Sequence, residues 1–193
     1  MNARTAEVAR QTRETDIHVS LTLDGSGQLT GTTGIPFFDH MLGSLTKTAL
    51  FDLTLHVQGD LAVDQHHTIE DVGIVLGQTF AQAVGDRSGI RRFSHTVLPM
   101  DEALARAALD VSGRGFLSFA AEIPANPALP FDVQMVEEFF RAFAVNAGVT
   151  LHIDLLKGKN THHIIEAIFK AVGVGLRIAV EIDPKIQGVL STK

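Results

Sequence analysis

Two short stretches of this chain carry the residue types that hold transition metals. His66-His67-Thr68-Ile69-Glu70 recurs as His162-His163-Ile164-Ile165-Glu166, at an offset of 96 residues (162 − 66). On a helix, residues i and i+4 lie nearly above one another, so His66 can share an ion with Glu70, and His162 with Glu166. Position i+1 is turned by about 100°, so His67 and His163 look towards a second ion or a partner surface. Two such helices brought together offer four imidazoles and two carboxylates. That mixture suits Mn, Fe, Zn or Ni better than Mg or Ca, which prefer oxygen alone. Which histidine serves which ion is open at this point. Adjacent histidines on a helix are most often surface decoration. The second copy, at the same place in a repeated chain, is what raises these pairs above that. Their order also differs from HExxH, where two histidines at i and i+4 share one zinc.

The repeat nominates further ligands and an anion site. His40 falls just inside a short helix, and Glu138 follows 98 positions later (138 − 40) in the matching helix of the second half. Both are acceptable ligands, one for each pseudo-equivalent site. Arg92 and Arg114 sit beside glycine-rich backbone, where a guanidinium makes a good bidentate clamp for phosphate. Lys170 comes one helical turn after Glu166, and Ser191-Thr192-Lys193 adds hydroxyls and another cation.

The elements that must position these groups are also written twice. Leu53-Thr54-Leu55-His56-Val57 matches Val149-Thr150-Leu151-His152-Ile153 at the same offset of 96 (149 − 53), and Leu23–Gly27 matches Leu109–Gly113 at 86 (109 − 23). Ile17–Leu23 alternates apolar and polar residues and leads through Gly25-Ser26-Gly27 into 28–33, which reads as a hairpin. Pro36 opens a helix to about Thr48, residues 51–57 form a strand, and 64–84 a long helix. The second half repeats this with strands at 103–111 and 116–123, a helix at 131–147, a strand at 149–156 and a helix at 160–180. Residues 103–111 suit a helix equally well. The expected fold is α+β, a duplicated β-β-α-β-α unit with helices on one face of each sheet around a shared core. The halves divide at 1–88 and 89–193, near Asp86-Arg87-Ser88-Gly89.

Composition sets outer limits. The chain has 193 residues, 45% apolar and 20% charged, enough for a packed core. A net charge of −6 argues against wrapping nucleic acid. No uninterrupted apolar run approaches the roughly 18 residues of a membrane span, and Met1–Arg13 lacks the apolar core of a signal peptide. Cysteine is absent while histidine occurs nine times, so any soft metal must be held by imidazole and carboxylate. The expected setting is the cytoplasm.

Several long motifs now occur in one order. Asp64-x-His66-His67-Thr68-x-Glu70-Asp71-Val72-Gly73-Ile74 and Asn160-x-His162-His163-x-x-Glu166-Ala167-x-Phe169-Lys170 resemble the two signatures of the imidazoleglycerol-phosphate dehydratase family. Arg13-Glu14-Thr15, Phe38-Asp39-His40-Met41-Leu42, Pro99-Met100-Asp101-Glu102-Ala103-Leu104, Ser112-Gly113-Arg114 and Ser191-Thr192-Lys193 support it. The resemblance implies a duplicated fold of the ribosomal-protein-S5 domain-2 type. It implies dehydration of imidazole glycerol phosphate to imidazole acetol phosphate, the sixth step of histidine biosynthesis. It further implies two Mn²⁺ ions per site and a homo-oligomer of twenty-four subunits with shared active sites. By this likeness His40, His66, His67, Glu70, His162, His163 and Glu166 bind metal, with Glu138 standing where many relatives carry His. Glu14 resembles the acid–base residue and Asp101 its assistant. Arg92, Arg114, Lys170, Ser191 and Lys193 resemble the phosphate-binding group. Thr48 also stands near a position where relatives commonly show His.

Two other classes compete. A dinuclear phosphate-ester hydrolase would use the same His and Glu clusters and release inorganic phosphate. A metal-storage or assembly protein would use them to bridge subunits. Neither accounts for Glu14, Asp101 and the arginine turns together.

Overall fold

Apolar–polar alternation builds two four-stranded sheets in the computed structural model, which describes residues 4–191. The first half runs β1 (Thr5–Gln11), β2 (Thr15–Thr22), β3 (Leu29–Thr30), α1 (Pro36–Ala49), β4 (Asp52–Gly59) and α2 (His66–Val84). The second runs β5 (Phe93–Met100), β6 (Ala103–Asp110), β7 (Phe116–Ala120), α3 (Met135–Ala147), β8 (Thr150–Lys157) and α4 (Thr161–Val180). Strand orders are β1-β2-β4-β3 and β5-β6-β8-β7. The β-β-α-β-α unit is therefore present twice, each copy preceded by one further strand, β1 or β5.

The strand pairing differs from the sequence expectation in one respect. Ile17–Leu23 and 28–33 do not form a hairpin, because β4 lies between β2 and β3, and β3 runs parallel to β4. The cause is Asp52. Its Oδ1 accepts from the backbone N–H groups of Ser26 and Gln28 at 2.8 and 3.0 Å, which carries the Gly25–Gly27 turn across the start of β4. The same order holds for β6, β8 and β7. The true hairpins are β1–β2 and β5–β6. Residues 103–110 are strand: Ala103, Ala105, Ala107 and Leu109 alternate inward against α4, at the period of two that a pleat requires. The third helix begins at Met135 rather than 131, after Asp132 Oδ1 has accepted from Gln134 N–H in a short turn.

The helices lie on one face of each sheet and exchange partners between halves. α2 covers β1 and β2, and α4 covers β5 and β6, while α1 packs along α4 and α3 along α2. Both pairs are parallel: Ser44 and Thr48 of α1 meet Glu166 and Lys170 of α4, and Gly73 and Gly77 of α2 meet Phe139 and Phe143 of α3. Phe37 against Phe131 and Phe38 against Phe139 tie the start of α1 to that of α3, so all four helix N-termini gather at one end. One apolar core runs through both halves.

Strand register refines the repeat. The hairpins superpose at an offset of 88 (103 − 15), α1 on α3 and β4 on β8 at 98 (147 − 49, 150 − 52), and α2 on α4 at 96 (180 − 84). The sequence match of 53–57 with 149–153 is thus two residues out of step, a shift that keeps every side chain on the same face. His40 and Glu138 do hold equivalent places.

Candidate metal centre

The first turn of α4 carries the most compact group of ligand atoms. Asn160, at its N-cap, accepts from the backbone N–H groups of His162 and His163 through Oδ1, which fixes both residues at the helix start. His162 Nε2 lies 3.2 Å from Glu166 Oε2, and His40 Nε2, reaching across from α1, lies 3.5 Å from the same oxygen. Among the described residues these three are the only group of three His, Asp or Glu side chains whose ligand atoms all fall within 4.8 Å.

Glu166 is held for this role. It is 6% exposed. Its Oε1 accepts from Ser44 Oγ at 3.2 Å and from Lys170 Nζ at 2.7 Å, leaving Oε2 to face the two imidazoles. Burial opposes its ionisation, but Lys170, His40 and Ser44 together outweigh burial and the pKa falls below the ordinary value. Two imidazole nitrogens and an ionised carboxylate fit Mn²⁺ and its transition-metal neighbours. Lys170, expected at phosphate, is occupied here with Glu166.

The neighbouring histidines are oriented by carboxylates the sequence reading did not single out. His163 Nδ1 is 2.7 Å from Glu102 Oε2, and its Nε2 is 3.8 Å from Asp101. Glu102 also accepts from the N–H groups of Lys159 and Asn160 through Oε1. His163 hydrogen bonding holds the Glu102 carboxyl down at about 2, and Glu102 in turn raises the His163 pKa. On α2, His67 Nδ1 is 2.9 Å from Asp60 Oδ2, and this bond raises the His67 pKa, with Glu14 adding a smaller effect. Each motif thus leaves the Nε2 edge of its second histidine towards solvent or a ligand. A signal for Glu102 exists in hindsight: it occupies the place of Glu14 at the hairpin offset of 88 (102 − 14). Asp60 has no such marker, since its counterpart at 158 is glycine.

The α2 half-site is looser. His66 Nε2 and Glu70 Oε2 are 3.8 Å apart, on half-buried residues. Glu138, on α3, belongs to no group of three ligands among the described residues. Glu14 is exposed in the β1–β2 turn and lines an open cleft of about 330 Å³ with Asp60 and Gln58. The Thr48 hydroxyl lies within donating distance of the carbonyls of Ser44 and Lys170, joining α1 to α4.

The arginines lie elsewhere. Arg92 is backbone-bonded to Ala179 at the far end of α4, about 25 Å from His162 at 1.5 Å per residue. Its guanidinium forks onto Asp110 at 2.7 and 3.2 Å, and Arg114 reaches the same carboxylate at 3.3 Å. Two guanidinium groups therefore converge on one carboxylate at this end. Ser191 is exposed, three residues after Gly188, which bonds Gly89 beside these arginines. Lys193 lies outside the described residues.

Comparison with known proteins decides the lineage. A family model described as imidazoleglycerol-phosphate dehydratase matches residues 33–176. The chain belongs to the imidazoleglycerol-phosphate dehydratase family. It is 54% identical to the imidazoleglycerol-phosphate dehydratase of Acidithiobacillus ferrooxidans, over 100% of this chain and 98% of that one. The dehydratase of Pelotomaculum thermopropionicum is 55% identical over the same shares of the two chains. The crystal structure of the Staphylococcus aureus dehydratase aligns with a TM-score of 0.84 at 40% identity, covering 93% of this chain and 99% of that one. The match to the dehydratase model spans both His-His-x-x-Glu motifs, His40 and Arg114.

Proposed function

We propose that this chain dehydrates imidazole glycerol phosphate to imidazole acetol phosphate in histidine biosynthesis, at a site holding two Mn²⁺ ions. Family membership over the full chain supports the reaction, and the convergence of His40, His162 and Glu166 supports the metal. The substrate offers no carbonyl to acidify the C–H bond that must break, so its imidazole ring has to act as the electron sink. A divalent cation on a ring nitrogen would favour the anionic ring, because coordination lowers the pKa of a ligand. The hydroxyl beside the ring leaves as water, the neighbouring carbon gives up a proton, and the resulting enol becomes the ketone. Glu14 moves that proton, with Asp101 assisting. Its exposure in an open cleft beside His67 supports this role. The ligands are assigned as His40, His66, His67, Glu70, Glu138, His162, His163 and Glu166.

Within one chain the metal end and the arginine end lie about 25 Å apart along α4. One substrate cannot touch both. This separation supports a site shared between copies, with Arg92, Arg114, Ser191 and Lys193 of one copy holding the phosphate at the metal end of another, and Lys170 holding Glu166. Exposed Phe93, Val97 and Phe116 on the second sheet offer apolar surface for such contacts. We assign a homo-oligomer of twenty-four chains. No described helix is long and apolar enough to cross a membrane, and the cysteine-free composition supports a cytoplasmic setting.

The test is to incubate the purified protein with imidazole glycerol phosphate and follow imidazole acetol phosphate and inorganic phosphate together. The ketone without phosphate release is expected. Phosphate release would favour a hydrolase. Glu14→Gln should keep substrate binding and lose turnover; near-normal turnover would remove Glu14 from the mechanism.

A further inference from the structure

The fold builds the same hairpin turn twice and anchors only one copy with buried charge. Asp71 follows Glu70 on α2 and is 7% exposed. Its Oδ2 accepts from Thr15 Oγ1 at 2.5 Å and lies 2.6 Å from Arg10 Nη1. The Arg10 contact is an ion pair without hydrogen-bond alignment. Thr15 is 4% exposed and follows Glu14 directly. We propose that Arg10, Thr15 and Asp71 form a clamp that positions Glu14, which rests on the proton-transfer role given to Glu14 above.

The second half folds the same turn without such a clamp. At the offsets fixed by strand register and helix ends, Arg10, Thr15 and Asp71 correspond to Leu98, Ala103 and Ala167 (98 − 10 = 88, 103 − 15 = 88, 167 − 71 = 96). Ala103 and Ala167 are fully buried, and Leu98 packs against the core. At these three positions the second hairpin meets its helix without a polar side chain. Its polar contacts with α4 lie further along β5, where the Ser94 and Thr96 hydroxyls donate to the Gly175 and Ala171 carbonyls, and none of them is charged. Burying a carboxylate costs free energy that apolar packing avoids, so packing alone gives no reason for the trio.

What the first turn lacks is an anchor of its own. In the second turn Glu102 fastens itself, through the N–H groups of Lys159 and Asn160 and through His163. In the first, Asp60 has taken the histidine, so the Glu14 side chain stays open to the cleft. A carboxylate that must reach a substrate cannot be tied down by its own oxygens. The turn is fixed instead from beneath. Thr12 Oγ1 accepts from the N–H groups of Glu14 and Thr15, Thr12 N–H donates to the Thr15 carbonyl, and Asp60 N–H donates to the Glu14 carbonyl. Asp71 holds the base of this turn through Thr15.

The clamp is tested by giving the first half the residues of the second: Arg10→Leu, Thr15→Ala and Asp71→Ala together, in the assembled, Mn-loaded enzyme. Assembly and bound manganese should be unchanged. The kcat should fall by about 100-fold, the scale of a displacement near 1 Å, with KM little changed. Hydrogen exchange at residues 12–15 should accelerate while residues 100–103 stay as they were. If the triple variant does not assemble, Asp71→Asn, of nearly equal volume, should show the same fall. Wild-type kcat and turn protection in the variant, with Glu14→Gln inactive, would overturn the clamp alone. Wild-type kcat in Glu14→Gln would overturn the role of Glu14 and the clamp with it.

Discussion

His67 and His163 each give one ring nitrogen to a carboxylate, and this sets how protons compete with metal. Hydrogen bonding to Asp60 and to Glu102 raises both pKa values above the ordinary 6.5. A metal takes the neutral ring, so binding should weaken as pH falls through the raised values. The His163–Glu102 pair also has a sign for stability in the metal-free protein. A raised histidine contributes below 6.5 and loses its contribution as pH rises through its folded value. A depressed carboxylate contributes above 4.5 and loses its contribution as pH falls through about 2. Both contributions are full between 4.5 and 6.5. We therefore expect Glu102→Gln to lower the Tm of metal-free protein most in that window, and to bring His163 back towards 6.5 in an NMR titration. A Tm difference constant to pH 9 would contradict the pairing.

Among the elements, the long helices depend on two glycines at equivalent places. A Cβ on Gly77 would stand 2.7 Å from the Phe143 carbonyl oxygen, and one on Gly173 2.5 Å from that of Leu45. Both offsets, 173 − 77 = 96 and 143 − 45 = 98, are those of the repeat. Gly77→Ala should then cost about 1–3 kcal/mol, as overpacking does, despite the gain in helix propensity. A Tm at or above wild type would contradict the close approach of α2 and α3. The helices and motif positions were legible in the sequence because apolar period, Pro36 and the His-Glu spacing are local signals. Strands β1 and β5 were not: β1 alternates only between half-buried and exposed residues, as an edge strand does. Nor was the insertion of β4 between β2 and β3, because it turns on Asp52 accepting from residues more than twenty positions earlier. The candidate metal ligands could be read from spacing. Asp60 could not, since it meets its histidine only after the turns fold, and Glu102 was marked only by the hairpin offset that the strand register reveals.

For the whole molecule, the proposed function makes assembly part of the chemistry, because the candidate metal and arginine ends lie about 25 Å apart along α4. Chains carrying His162→Ala and chains carrying Arg114→Ala should each be inactive alone. Co-assembled from a denatured mixture, they should regain part of the wild-type activity, because some sites would combine two intact ends. No recovery in verified mixed particles would place both ends in one chain's own site. The most direct test of the account is metal reconstitution. Protein stripped with chelator should not turn over imidazole glycerol phosphate, and added Mn²⁺ should restore imidazole acetol phosphate formation in proportion to metal bound, saturating at two ions per site. Full turnover by verified metal-free protein, or none by assembled protein loaded with manganese, would contradict it.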